Sequence, residues 1–416
     1  MTQTKLRLLA KTRRMSSSGS LTEWVSAENP LTFQRLGRGF VGLGQIERMT
    51  FKGPGRFQEA NVAWKKLVAE AEIDNPLDTP GTGLVCFGTF SFDDFSNQES
   101  VLIIPRVIIG REGSNSWRTD ISVAGSSRDK PVSEHSKLVG LEPIQWVAGL
   151  MSEKDYVTEV TKLIPEIQSG RLDKVVLARD LIARAPAIKD WRQAISHLVE
   201  TYPDCQTFAI DGFLGSSPET LARVEKGKLN LRVLAGSSAR GSSPAEDRMR
   251  SEELITSGKD NDEHRYAVNG VVESLSRLTP HVVADQRPFS IKLANVWHLA
   301  TDIAAALPGG ISSLDVVSAL HPTAAVAGSP SSEAVKLISS CEPFDRGRYA
   351  GPVGWMDSSG DGDWSIALRC AQWSDSGTIT AYAGAGIVAD SDPQSELLET
   401  QLKFNPILSA FGSKPS

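Results

Sequence analysis

The sequence predicts an α/β protein of the α+β type, with antiparallel β-sheets packed as a sandwich and helices on the outside. Two observations carry this. Strand-like and helix-like segments interleave without the regular period of a βαβ fold, and neighbouring strands are joined by short turns rich in Asp, Gly and Ser. The chain has 416 residues, 40% hydrophobic and 23% charged, ample for a large core. No internal repeat is visible.

Residues 1–22 contain Lys5, Arg7, Lys11, Arg13 and Arg14 and then the run SSSGS, with no acid; they are expected to form a disordered basic tail. Residues 23–145 read as an N-terminal mixed α/β portion of the same fold. Helical periodicity covers 60–73, and strands are expected at 83–92, 100–111 and 116–125. The stretch 125–137 reads as a linker.

Residues 146–412 are patterned more cleanly. A helix over 152–168 starts at Ser152, a natural N-cap, and stops at Gly170. A strand over 173–185 and a helix over 190–202 follow, then a hairpin over 219–236 turning at Glu225–Lys228. A long helix is expected at 259–278, strands within 291–303, and short helices at 313–320 and 331–340. A hairpin over 349–374, a strand over 377–388 and a helix over 393–411 complete the chain. The turn DSSGDGD (357–363) resembles the start of a calcium loop, but the twelfth position is Leu368, where a bidentate carboxylate belongs.

A net charge of −6 and the lack of a basic patch interleaved with aromatics argue against nucleic acid. No apolar run approaches the length of a membrane span, so no membrane partner is expected. The four cysteines are widely spaced with no C-x-x-C, which fits a reducing, cytoplasmic setting. The expected partner is a small molecule.

Two acidic runs share one helical arithmetic. Asp260, Glu263 and His264 fall at i, i+3 and i+4; Glu396, Glu399 and Lys403 fall at i, i+3 and i+7. Each set projects from one helix face. Such runs are usually solvated surface, but two helices that each offer carboxylates can hold a hard divalent ion such as Mg²⁺.

Other residues add chemistry. Lys174 opens the apolar run KVVLAR; a lysine there usually snorkels to solvent, but a desolvated one can act as a base. Glu219 follows a Ser-Ser-Pro turn, where an exposed carboxylate is the bland reading and a pocketed general acid the functional one. The loop LAGSSARG (234–241), with Ala235, Gly236 and Ser237, could bring backbone N–H groups against an anion. His298 lies in an apolar strand, where a satisfied core histidine is the commoner outcome. Arg369 is read as alternating with apolar residues in a strand, costly to bury unless a carboxylate meets it. Gly384 in AGAG and Lys403 complete a set suited to a dicarboxylate.

Taken in order, KVVLARD, SPETL, LAGSSARG, KDNDEH, VWHLAT, LHPTAAVAG, YAGPVGW, LRCA, AGAGIV and ELLETQLK resemble the chorismate-utilising enzymes over about 150–411. The resemblance is nearest to the isochorismate synthases. It implies the chorismate-utilising enzyme fold and Mg²⁺-dependent isomerisation of chorismate to isochorismate, for menaquinone or siderophore biosynthesis. Salicylate synthase, or an ammonia-using anthranilate or aminodeoxychorismate synthase component, is the alternative. It further implies Lys174 as the base that activates water and Glu219 as the acid. Glu263 and Glu399, with Glu396 and Asp260, would hold the metal. Arg369, Gly384 and Lys403 would hold the enolpyruvyl carboxylate, with Ala235, Gly236, Ser237 and His298 lining the substrate. A monomer without a glutaminase partner is expected. The chain departs from the common family pattern at Ser237, where threonine is usual, and at Ala324, where proline is common.

Overall fold

The computed structural model describes residues 7–16, 19–125, 140–185, 190–292, 296–374 and 376–413. Eight α-helices lie among the described residues: α1 (Arg56–Glu70), α2 (Glu153–Gln168), α3 (Arg192–Thr201), α4 (Pro244–Thr256), α5 (Gly258–Ser276), α6 (Ser313–Leu320), α7 (Ser331–Cys341) and α8 (Pro393–Ala410). None of them is long and apolar enough to cross a membrane. The chain divides into two compact units: Met1–Glu219 with His321–Ser358 and Trp364–Ser416, and Thr220–Leu320 with Ser359–Asp363.

The first unit is built on a 13-stranded sheet. Its pairs are antiparallel, except that Leu8–Met15 runs parallel to Glu72–Asp74. Toward one end, Lys174–Arg184 pairs along its length with Thr378–Ile387, which pairs in turn with Cys370–Trp373. Helices α3 and α8 close over a core that includes Trp191, Ile195, Leu198, Phe404, Ile407 and Phe411. Helix α8 buries Leu397, Thr400, Phe404 and Ile407 on one stripe, which leaves Glu396, Glu399 and Lys403 on another. Its N-terminus is capped by Asp392, whose carboxylate accepts the Ser395 N–H at 2.8 Å. Ser152 caps α2 in the same way, and Gly170, at φ 79°, ends it as expected.

In the second unit, Thr220–Glu225 and Lys228–Ala239 form a hairpin through Lys226 and Gly227, at φ 52° and 70°. Two left-handed residues match the twist of the flanking strands. The Asp361 carboxylate accepts both turn N–H groups, at 2.6 and 3.1 Å, so this acid of the DSSGDGD run serves the fold. Lys228–Ala239 pairs with Val296–Ala306, with a bulge between Ala235 and Ser237 where Gly236 takes φ 75°. Helices α4, α5 and α6 belong to this unit.

Several expectations are corrected. Leu8–Met15 is a strand, not disordered tail: Leu8, Ala10 and Thr12 point inward, while Lys11 and Arg13 reach Asp74 and Asp120. The single strand expected at 100–111 is two, Ser100–Ile104 and Val107–Glu112, which pair with different partners on either side of Pro105. The stretch LAGSSARG is largely strand with a bulge, not loop. Arg369 stands between two strands at φ 48°, not within one. Helix α4 and the strands over Leu31–Arg35, Arg38–Leu43 and Glu47–Phe51 were not anticipated. Most of the linker expected at 125–137 lies outside the described residues.

Candidate active site

Lys174 is the first residue of the strand Lys174–Arg184 and is opposite Ser329 in register. The backbone beneath it is fixed from both sides. Asp173 N–H donates to Ser329 O at 2.8 Å, and Val176 N–H to Ala327 O at 2.9 Å. Beyond these, no strand among the described residues covers Val176 and Ala178 on that edge, and a buried ion pair does so instead. Glu342 accepts the Ala178 N–H at 2.8 Å, and Arg346 donates to Val176 O at 2.7 Å and Val326 O at 2.9 Å. The two are joined by hydrogen bonds of 2.8 and 2.6 Å. Every charge in this pair is matched by donors or acceptors, the condition under which burial is tolerated. The ammonium of Lys174 itself is half-buried and makes no hydrogen bond or ion pair among the described residues.

Glu219 is held by its backbone. Its N–H donates to Ser217 Oγ at 3.2 Å, and its carbonyl accepts the Ile366 N–H at 3.1 Å. The carboxyl accepts nothing among the described residues, and burial raises its pKa against the pull of Lys174, Lys403 and Arg369. A carboxyl so placed keeps its proton further up the pH scale than an exposed one.

Arg369 is fixed at its kink by Ser216, whose N–H donates to the Arg369 carbonyl at 3.1 Å. Its guanidinium has no hydrogen bond or ion pair among the described residues, although burial disfavours its charge. Lys403 donates to Gly384 O at 2.8 Å and pairs with Glu399 at 2.5 Å. Burial lowers its pKa and Glu399 opposes the shift. A Cβ on Gly384 would come within 2.9 Å of Leu177 O and 3.0 Å of Tyr349 Oη, so no side chain fits there. Three basic side chains, Lys174, Arg369 and Lys403, thus act on one carboxyl, and two of them have no hydrogen bond or ion pair among the described residues. Arginine and lysine so placed are able to receive an anion with more than one carboxylate.

Glu396 accepts Ser391 Oγ at 2.7 Å; burial raises its pKa, Ser391 works against this, and the neighbouring Glu399 adds to it. Two hard carboxylates that repel each other on one helix stripe fit a divalent cation completed by substrate oxygens and water. Among the described residues no group of three or more acid, His or Cys side chains is gathered for a metal.

In the second unit Asp260 takes part in the start of α5: Ser257 Oγ donates to its carboxylate and accepts its N–H. His264, from the same run, is buried, with Nδ1 donating to Ala235 O at 3.0 Å and Nε2 sharing a 2.7 Å hydrogen bond with Thr301 Oγ1. It braces α5 against the sheet. Gly236 lies under α5, where a Cβ would meet Asp260 O at 3.2 Å. His298 is half-buried and pairs in register with Ser237 and Ile291. The side chains of Glu263 and Ser237 lie outside the described residues.

Sequence reasoning missed Glu342, Arg346 and Gly386. The first two are an i, i+4 acid–base pair in CEPFDRG, a spacing that usually marks a solvated helix face.

Comparison with known proteins bears on this arrangement. The family described as chorismate binding enzyme matches residues 33–412. The chain is 36% identical to isochorismate synthase DhbC of Bacillus subtilis over 62% of this chain and 68% of that one. It is 32% identical to the salicylate biosynthesis isochorismate synthase of Pseudomonas aeruginosa, over 94% of this chain and 87% of that one. The solved structure of a 2,3-dihydroxybenzoate-specific isochorismate synthase from Bacillus anthracis superposes with a TM-score of 0.73 at 30% identity, covering 95% of this chain and 99% of that one. With the family model matching most of its length, the chain belongs to the chorismate binding enzymes.

Proposed function

We propose that this chain is an isochorismate synthase that interconverts chorismate and isochorismate, with Mg²⁺ as its cofactor. One observation carries the chemistry: Glu219, with its pKa raised, lies in the field of Lys174, whose ammonium has no partner among the described residues. Lys174 removes a proton from water as its oxygen bonds to C2 of the substrate ring. The ring double bonds shift, the C4–O bond breaks, and Glu219 passes its proton to the leaving hydroxyl. One water enters and one leaves, so the reaction is an isomerisation, and in reverse the two residues exchange roles.

Arg369 and Lys403 bind the enolpyruvyl carboxylate. Glu399 and Glu396 would hold the magnesium, which would supply positive charge against the ring carboxylate. Acid and base are each worth about 10²–10⁴ in rate.

The test is product analysis of the purified protein with chorismate and Mg²⁺, with and without ammonium. Isochorismate in equilibrium with chorismate is expected in both. Salicylate with pyruvate, or an aminated product only with ammonium, would replace this reading. Lys174→Ala and Glu219→Ala should each lower turnover by about 10²–10⁴-fold while chorismate still binds.

A further inference from the structure

The motif AGAG places two glycines, Gly384 and Gly386, on the strand beside the one that carries Lys174. Glycine in a strand interior weakens it and calls for a local reason. Gly384 has one in the neighbouring backbone and in Tyr349, as described above. Gly386 has a different one. Its φ is outside the left-handed region, so the backbone there accepts any residue. A Cβ at Gly386 would meet Lys174 Cε at 2.5 Å, Nζ at 3.3 Å and Cδ at 3.8 Å, and these are its three nearest heavy atoms. The missing side chain is filled by the lysine stem.

We propose that Gly386 is a positioning residue for Lys174: the bare backbone at 386 is the groove in which the lysine stem lies, and it sets where the ammonium stands. The inference rests on Lys174 being the base. The backbone on either side of the lysine, at Asp173 and Val176, is clamped by Ser329, Ala327 and Arg346, so the path of the stem decides the position of Nζ. A methyl group at 386 displaces a flexible side chain and leaves the backbone in place, so the effect falls on the reaction and spares the fold.

Gly386→Ala is expected to lower kcat by about 10- to 100-fold, the scale of a misplaced catalytic group, with KM for chorismate changed less than about threefold. Its thermal midpoint should stay near that of the parent protein. In a Lys174→Ala background, where no stem remains, the same substitution should leave the residual turnover unchanged. Unaltered kcat in Gly386→Ala would overturn the proposal, and so would an equal further loss in the Lys174→Ala background. Full turnover by Lys174→Ala alone would instead remove the reading of Lys174 as the base, a result distinguishable from either of these.

Discussion

Lys403 and Glu399 make opposing demands on one another. The ammonium, assigned here to substrate, is ion-paired at 2.5 Å with a carboxylate assigned to the metal. Metal binding at Glu399 therefore competes with Lys403, and Lys403→Met should tighten it. The size follows from exposure: the side chains are 25% and 49% exposed, so solvent screens the pair and it contributes about 1 kcal/mol or less. Losing that competition corresponds to up to roughly fivefold in affinity, since about 1.4 kcal/mol is tenfold. Removing a positive charge beside the cation acts in the same direction, so about 3- to 10-fold is expected. The assay is titration with Mn²⁺ in place of Mg²⁺, without chorismate, following free Mn²⁺ by electron paramagnetic resonance. The gain should shrink at high salt, and chorismate binding should weaken in the same variant. Unchanged or weaker Mn²⁺ binding in Lys403→Met would refute Glu399 as a ligand.

Glu219 must be protonated to act as the acid in the forward reaction. Its form is correct below its raised pKa, so kcat should fall as pH rises through that value, and Glu219→Gln should lose this limb along with most of the rate. A pH–rate profile with the same limb in the variant would contradict the assignment. Arg346→Met strands the buried Glu342 carboxylate and should cost about 3–5 kcal/mol in denaturant unfolding; under about 1 kcal/mol would mean that water repairs the gap. His264→Ala removes two buried hydrogen bonds and should lower stability by about 1–3 kcal/mol, yet leave Mn²⁺ affinity unchanged because both ring nitrogens serve the fold.

The elements legible in the sequence were those whose signals are local. Ser152 and Gly170 bound α2 through their own capping chemistry, and the Lys226–Gly227 turn announces its hairpin. The strand Leu8–Met15 was hidden because its partners lie at Glu72–Asp74 and 116–123, and its basic residues find their acids only after the sheet forms. Helix α4 buries only Asp247 and Leu254, too little for an apolar stripe to show. Helical spacing put Asp260 and His264 on one face but could not say which way that face turns: the His264 ring meets the sheet, and Asp260 meets Ser257 at the start of α5. Arg369 was singled out for its cost of burial, and burial does disfavour its charge, although its kinked backbone was invisible in the sequence. Gly386 could not be told from Gly384, because the difference lies wholly in what crosses each of them.

The pair Glu342–Arg346 has a meaning for solubility as well. A strand with bare N–H and C=O groups along one edge is a template on which another chain can add, the usual route to edge-to-edge association. The strand of Lys174 has such an interval at Val176 and Ala178, between the short strands that cover its two ends. Side chains that occupy those backbone groups close the interval without presenting a new edge. Opening the pair would leave a ribbon of β-rich, apolar chain, VVLA, exposed to its neighbours, so a variant that loses it should clump on concentration.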